Sequence, residues 1–256
     1  YTLRWPKQRT EYISCFCCPP NTLRTLCEVQ NYVYTLSDEG VWCNLYGGSE
    51  LDTEWMGNHI QLLQETDYPW DGAVSITLKE VPEKKPLSLF LRVPEWCTKA
   101  TLAVNDVPVT TDLKAGTYAE IKRIWKKGDR VAFVMGMEPV LLESHPLVEE
   151  TRNQVAVKRG PVVYCLESMD VEAGKRIDDI LIPADIKFSP VKTEIAGSRV
   201  TVLDGIAHSV DSDSWEGKLY RKVAENGDRI PIRLIPYYAW GNRGESEMTV
   251  WMLLER

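Results

Sequence analysis

The sequence predicts a mainly β chain in which one helix is followed by two β-sandwich domains. Three observations carry that reading. Apolar and polar residues alternate over many short runs, the signature of half-buried strands. Gly, Pro, Asn and Asp separate those runs at short intervals, as in sandwiches and not in alternating β-α units. Only one stretch, near residues 21–36, repeats its apolar residues at helical spacing.

At 256 residues the chain has room for one large domain or two smaller ones, each with its own core. Hydrophobic and charged fractions of 44% and 26% suit a globular protein. The net charge of −7 argues against a nucleic-acid partner, which calls for a basic face. No apolar run approaches the ~18 residues of a membrane-spanning helix, so no membrane partner is expected. The opening "YTLRWPKQRTEYIS" lacks the apolar centre of a signal peptide.

After Pro19-Pro20, Asn21 or Thr22 can cap a helix running to about Leu36. Its stripe is Leu23, Leu26, Cys27, Val29 and Val33, and "SDEG" stops it. In "AVSITLKEV", Val74, Ile76 and Leu78 alternate with polar residues. In "LSLFLRVPEW", Leu87, Leu89, Leu91 and Val93 share a face. "ATLAVNDVPVT" reads as a hairpin turning at Asn105-Asp106, and "GTYAEIKRIWKKGDRVAFVM" as a strand pair split at Lys127-Gly128-Asp129. A second β block begins near Asn153 with "NQVAVKRGPVVYCLE" and closes with "EMTVWMLLER". The polar stretch 143–152 is the expected seam, which gives segments 1–40, 41–143 and 144–256.

The seven cysteines are an odd number with one tight cluster, unlike a disulfide framework. Cys27, Cys43, Cys97 and Cys165 read as small buried apolar residues. "SCFCCPPN", residues 14–21, holds the other three. Thiolate is a strong zinc ligand, but Cys15-x-Cys17-Cys18 lacks the gap of finger and ribbon pairs. Adjacent Cys17 and Cys18 are also poorly placed to bridge each other. His59, His145 and His208 lie far off in the chain. Spacing alone therefore leaves metal ligation, a reactive thiol and plain packing open. Among the tryptophans, Trp42, Trp70, Trp96, Trp125 and Trp251 sit in strand patterns and read as core; Trp55, Trp215 and Trp240 are undecided. "DSDSWEG" lacks the ordered ligands of a calcium loop.

"CCPPN", a helix and then the aromatic-rich "VWCNLYGGSEL" resemble the zinc-dependent β-L-arabinofuranosidases of glycoside hydrolase family 127. "YPWDGAVSITL", "LRVPEW", "NQVAVKRGPVVYCLE" and "IPYYAWGNRGESEMTVWM" resemble recurring stretches of those proteins in the same order, so the resemblance spans essentially the whole chain. It implies an (α/α)6 catalytic barrel followed by two β-sandwiches, with segment 1–40 as the end of that barrel and the rest of it absent from this chain. It implies that Cys17 is the nucleophile and that Cys17 and Cys18 both ligate zinc. A glutamate and a third cysteine would complete the metal site, and a further glutamate would act as acid/base, all on segments before this motif. A free thiol, with pKa ~8.5, is mostly protonated at neutral pH, and zinc coordination would deprotonate it. Two positions before Cys17, where the family often carries a substrate-contacting histidine, this chain has Cys15. A spare ligand, a substrate neighbour with altered specificity and an inert residue all stay open for it.

The expected function is a retaining glycoside hydrolase that releases terminal β-L-arabinofuranosyl residues from arabinose-containing glycans, with these 256 residues inactive alone. A bacterial cytoplasmic or periplasmic setting is expected, and an exposed apolar helix face would favour self-association. The alternatives are a non-catalytic β-sandwich module that binds carbohydrate or braces another domain, and a structural zinc site of unrelated purpose.

Overall fold

The computed structural model describes residues 2–10, 12, 14, 16–210, 216–222 and 227–255; Cys15 and Trp215 lie outside them. The chain divides into two units, Ile13–Met137 and Tyr1–Tyr12 with Glu138–Arg256. The description is mainly β, with a single α-helix among the described residues.

Strand β1 (Thr2–Lys7) belongs to the second unit. The first unit runs through α1 (Cys18–Glu28), β2 (Tyr34–Leu36), β3 (Gly40–Cys43), β4 (Ser49–Trp55), β5 (Asn58–Thr66), β6 (Ala73–Glu80), β7 (Leu87–Val93), β8 (Ala100–Val104), β9 (Val107–Pro108), β10 (Thr117–Arg123) and β11 (Arg130–Met135). Its strands form a four-stranded sheet, β10-β7-β3-β2, and a six-stranded sheet, β4-β5-β6-β11-β8-β9. One hydrophobic cluster draws on both: Leu87, Leu89, Leu91 and Val93 from the first, and Val74, Ile76, Leu78 and Phe133 from the second. Alternation places these side chains on the inner faces, and burying each contributes about 1.5–3 kcal/mol.

Two local readings change. The helix starts at Cys18 rather than at Asn21 or Thr22, and it stops at Glu28 rather than near Leu36. The first N–H groups of a helix have no partner within it, so Pro19 and Pro20 fit inside the first turn instead of preceding it. Val29–Tyr32 then tightens into a 3₁₀ turn, and Tyr34–Leu36 pairs antiparallel with β3. The "SDEG" stretch is thus a hairpin turn, closed by Ser37 and Gly40 exchanging backbone hydrogen bonds of 2.9 and 3.2 Å. Second, β10 and β11 are not paired with each other. The 126–129 turn exists, but β10 joins the four-stranded sheet and β11 the six-stranded one. Between them Trp125 is buried, its indole N–H donating to the Leu87 carbonyl at 2.8 Å, which fixes the crossing. The Asn105-Asp106 hairpin forms as its sequence predicts, with φ of 51° and 63° at the two positions.

The second unit contains β1, β12 (Pro139–Glu143), β13 (Gln154–Arg159), β14 (Val162–Glu167), β15 (Ile180–Pro183), β16 (Ser189–Ile195), β17 (Ser198–Ser209), β18 (Arg229–Pro236), β19 (Ser246–Thr249) and β20 (Met252–Glu255). Hydrogen bonding passes from β14 through β18, β17, β15, β20 and β13 and returns to β14, so these strands close a ring. Closure removes open edges from those strands. β12 extends β13 along its whole length, and β16 extends β17. "EMTVWMLLER" is two strands: β19 pairs with β1 and β14, whereas β20 pairs with β13 and runs parallel to β15. Inside, the fully buried Tyr164 donates its hydroxyl to the Thr201 carbonyl at 2.9 Å. Burial pushes this phenol up to about 12, so it stays a donor across the physiological range.

Gly40 shows how tightly β3 lies on β7. A Cβ there would stand 1.9 Å from the Ser88 carbonyl oxygen, whereas one at Gly48 meets nothing within 4 Å. Gly40→Ala is therefore expected to destabilise the fold by about 2–3 kcal/mol, and Gly48→Ala to change it by less than about 0.5 kcal/mol, in denaturant melts. Asp129 accepts from the Asn105 side-chain amide at 2.8 Å and the Lys126 N–H at 2.9 Å, tying two turns together. Burial pushes its carboxyl up, but these donors outweigh burial and hold it below the usual range. A lowered folded pKa means stability present above the unfolded value, near 3.9, and lost as pH falls through the folded one. Asp129→Ala should cost about 1–2 kcal/mol at pH 7, and its deficit against wild type should shrink in melts below about pH 4.

Candidate active site at the start of the helix

Cys17 is the N-cap of α1 and Cys18 its first residue. The Cys17 carbonyl accepts the Asn21 N–H at 3.2 Å, and the Cys18 carbonyl accepts the Thr22 hydroxyl at 2.9 Å. The two side chains stand at the start of the helix, with Sγ atoms 3.6 Å apart and exposed. The sequence-predicted pair is thus brought together. A helix N-terminus also carries partial positive charge, which suits anionic ligands there.

The two sulfurs head a shallow groove lined by Asn21, Thr22, Thr25 and Leu26. The Thr25 hydroxyl donates to the Asn21 carbonyl at 2.9 Å, and Arg24 donates to the Asn21 side-chain oxygen at 2.9 Å, so the polar lining is fixed in orientation. None of the lining residues carries a carboxyl group. Among the described residues no set of three or more His, Cys, Asp and Glu side chains is gathered as a metal site. As a donor pair, however, the two cysteines suit zinc. Two thiolates about 2.3 Å from one tetrahedral zinc stand roughly 3.8 Å apart, close to the sulfur separation found here.

The remaining cysteines divide in a way the sequence did not indicate. Cys43, Cys97 and Cys165 are buried, and burial pushes all three thiols up, so they are inert at neutral pH. Cys27, expected to be buried, is exposed, because no residue of α1 is buried. Leu23 and Leu26 are 62% and 63% exposed. Tryptophan positions also shift. Trp55 and Trp125 are core residues, but Trp42 faces outward from β3, stacked on Phe90 with ring centres 3.8 Å apart. Trp240 lies under the Arg9 guanidinium at 5.0 Å.

Residues 40–137 match the family model described as Beta-L-arabinofuranosidase, GH127 middle domain. Residues 139–253 match the model of the Glycoside hydrolase family 127 C-terminal domain. A non-reducing end beta-L-arabinofuranosidase of Bifidobacterium longum subsp. longum is 29% identical over 253 residues, covering 95% of this chain and 38% of that protein. A solved structure described as a glycoside hydrolase is 64% identical with a TM-score of 0.91, covering all of this chain and 42% of its own. A GH127 beta-L-arabinofuranosidase from Geobacillus stearothermophilus T6 is 37% identical with a TM-score of 0.88, covering 97% of this chain and 39% of its own. The chain thus spans about two fifths of the length of these relatives.

Brief alkylation of the folded chain, read by peptide mass, should label Cys17, Cys18 and Cys27 and spare Cys43, Cys97 and Cys165 until denaturant is added. Added zinc should protect Cys17 and Cys18 together and leave Cys27 reactive; independent behaviour of the adjacent pair would show that they do not share an ion.

Proposed function

Because this chain carries the middle and C-terminal domains of glycoside hydrolase family 127, we propose that it works in a retaining glycoside hydrolase that releases terminal β-L-arabinofuranosyl residues from arabinose-containing glycans. Homology to β-L-arabinofuranosidases supports the hydrolase class. The observation that carries the chemistry is the pair of sulfurs, 3.6 Å apart, at the start of α1.

In this reading Cys17 and Cys18 would be two ligands of a zinc ion, which would supply deprotonation of the thiol and restrain the sulfur. Cys17 Sγ attacks the anomeric carbon and the bond to the leaving oxygen breaks, leaving the sugar joined to sulfur as a thioether. The departing oxygen takes a proton from a carboxyl group that the groove lining does not supply. The same group, now a carboxylate, removes a proton from water, which displaces Cys17 as a thiolate. Two inversions at one carbon give net retention. Pro19 and Pro20 limit the backbone beside the sulfurs, so little conformational freedom remains to be lost when the sugar arrives.

In the full-length protein, quenching during turnover should leave a pentosyl mass on the peptide containing Cys17. Cys17→Ser should lower kcat by about 10³-fold or more while the melting temperature holds. A sugar adduct on another residue, or turnover retained in that variant, contradicts the assignment. The 256 residues alone are expected to leave an aryl β-L-arabinofuranoside uncleaved, since no carboxyl group lines the described groove.

A further inference from the structure

In the second unit, one face of the β17–β18 ribbon presents two cross-strand pairs in succession, Asp204 with Arg233 and Ile206 with Pro231. They form part of a groove that Met169 and Lys187 also line. Arg233 grips Asp204 with two parallel bonds, Nε to Oδ1 at 2.7 Å and Nη2 to Oδ2 at 2.8 Å. The guanidinium holds the Asp204 carboxyl below the usual range, so both groups stay charged and cancel. Below them Ile206 is 43% exposed in mid-strand and Met169 is 41% exposed, which gives an apolar floor. The opposite face of the ribbon is closed by packing: Phe188 lies against Gly205, where a Cβ would come within 2.9 Å of its ring.

A bidentate pair fixes direction without net charge. Arg233 has five N–H donors and the pair uses two, which leaves about three, while the carboxylate keeps about two of its four acceptor sites. A phosphate or carboxylate ligand would call for an excess of cations, but the lining sets Lys187 and Arg233 against Asp170, Glu172 and Asp204. Oriented donors and acceptors over an apolar strip match a ligand with hydroxyl groups on its rim and C–H groups on its face.

We propose that this groove is a carbohydrate-binding site that takes a neutral oligosaccharide, its hydroxyls on the Asp204–Arg233 pair and its C–H face on Ile206 and Met169. The choice of an arabinose-containing ligand rests on the glycoside hydrolase reading above; the polyol class rests on the groove. Electrophoresis of the full-length protein through gels containing a neutral arabinose-containing polysaccharide tests it. Wild type should be retarded, and Cys17→Ser equally so. The double variant Asp204→Ala/Arg233→Ala keeps net charge, and it should need about tenfold more polysaccharide for equal retardation. Ile206→Asp, corrected for its mobility in plain gel, should behave likewise. Both alter exposed strand positions, so their melting temperatures should stay near wild type. Hydrolysis of a small aryl β-L-arabinofuranoside should be unchanged in the groove variants. Absence of retardation in wild type, full retardation in both groove variants, or its loss in Cys17→Ser each overturns the proposal. Retardation of wild type without hydrolysis overturns only the catalytic reading and leaves this one standing.

Discussion

The first turn of an α-helix leaves its N–H groups without partners inside the helix, and the proposed site of this chain is built on that constraint. A Cys-Cys-Pro-Pro run could not sit in mid-helix, where each proline would remove a hydrogen bond and clash with the preceding turn. At the start of α1 it loses nothing. The prolines stiffen the backbone, and the Cys17 and Cys18 carbonyls accept from Asn21 and Thr22, which leaves the two sulfurs side by side. Asparagine or serine at these places would also begin a helix. What cysteine adds is a pair of soft donors at a spacing that one zinc ion can span.

The first unit carries that helix through the elements that follow it in sequence. α1 itself buries nothing, so its position depends on the 3₁₀ turn and on β2, which continue directly from it. β2 pairs with β3, and β3 lies against β7 closely enough that Gly40 must lack a side chain. Beneath them the two sheets share one core. A chain of backbone hydrogen bonds thus leads from a well-packed sandwich toward the start of α1, with the exposed cysteines on the helix and the inert, buried ones inside the cores.

Much of this was legible in the residues. Period-two alternation found β6 and β7, and Asn-Asp found the hairpin after β8, because burial and turn chemistry there are local. The cysteine cluster stood out because no packing argument accounts for three thiols in four positions. Other features depend on partners distant in sequence. The helix end is not legible locally, because Tyr32 to Leu36 continue an apolar pattern that serves a strand, and only pairing with β3 decides the matter. The separation of β10 from β11, the division of the last segment into β19 and β20, and the pairing of β1 with β19 are all set by long-range ladders. Trp42 follows the same rule: a strand pattern identifies its element, but only the sheet reveals which face it takes. Cys27 resembles a small buried apolar residue by type, but among the described residues nothing packs over α1 to bury it.

The proposal that Cys17 and Cys18 hold one metal ion between them meets its sharpest test in X-ray absorption at the zinc edge on the full-length protein. A shared ion gives a sulfur shell about 2.3 Å from zinc that loses one scatterer in Cys17→Ala and one in Cys18→Ala. A shell of oxygen and nitrogen alone, or a sulfur shell that both substitutions leave intact, would contradict it.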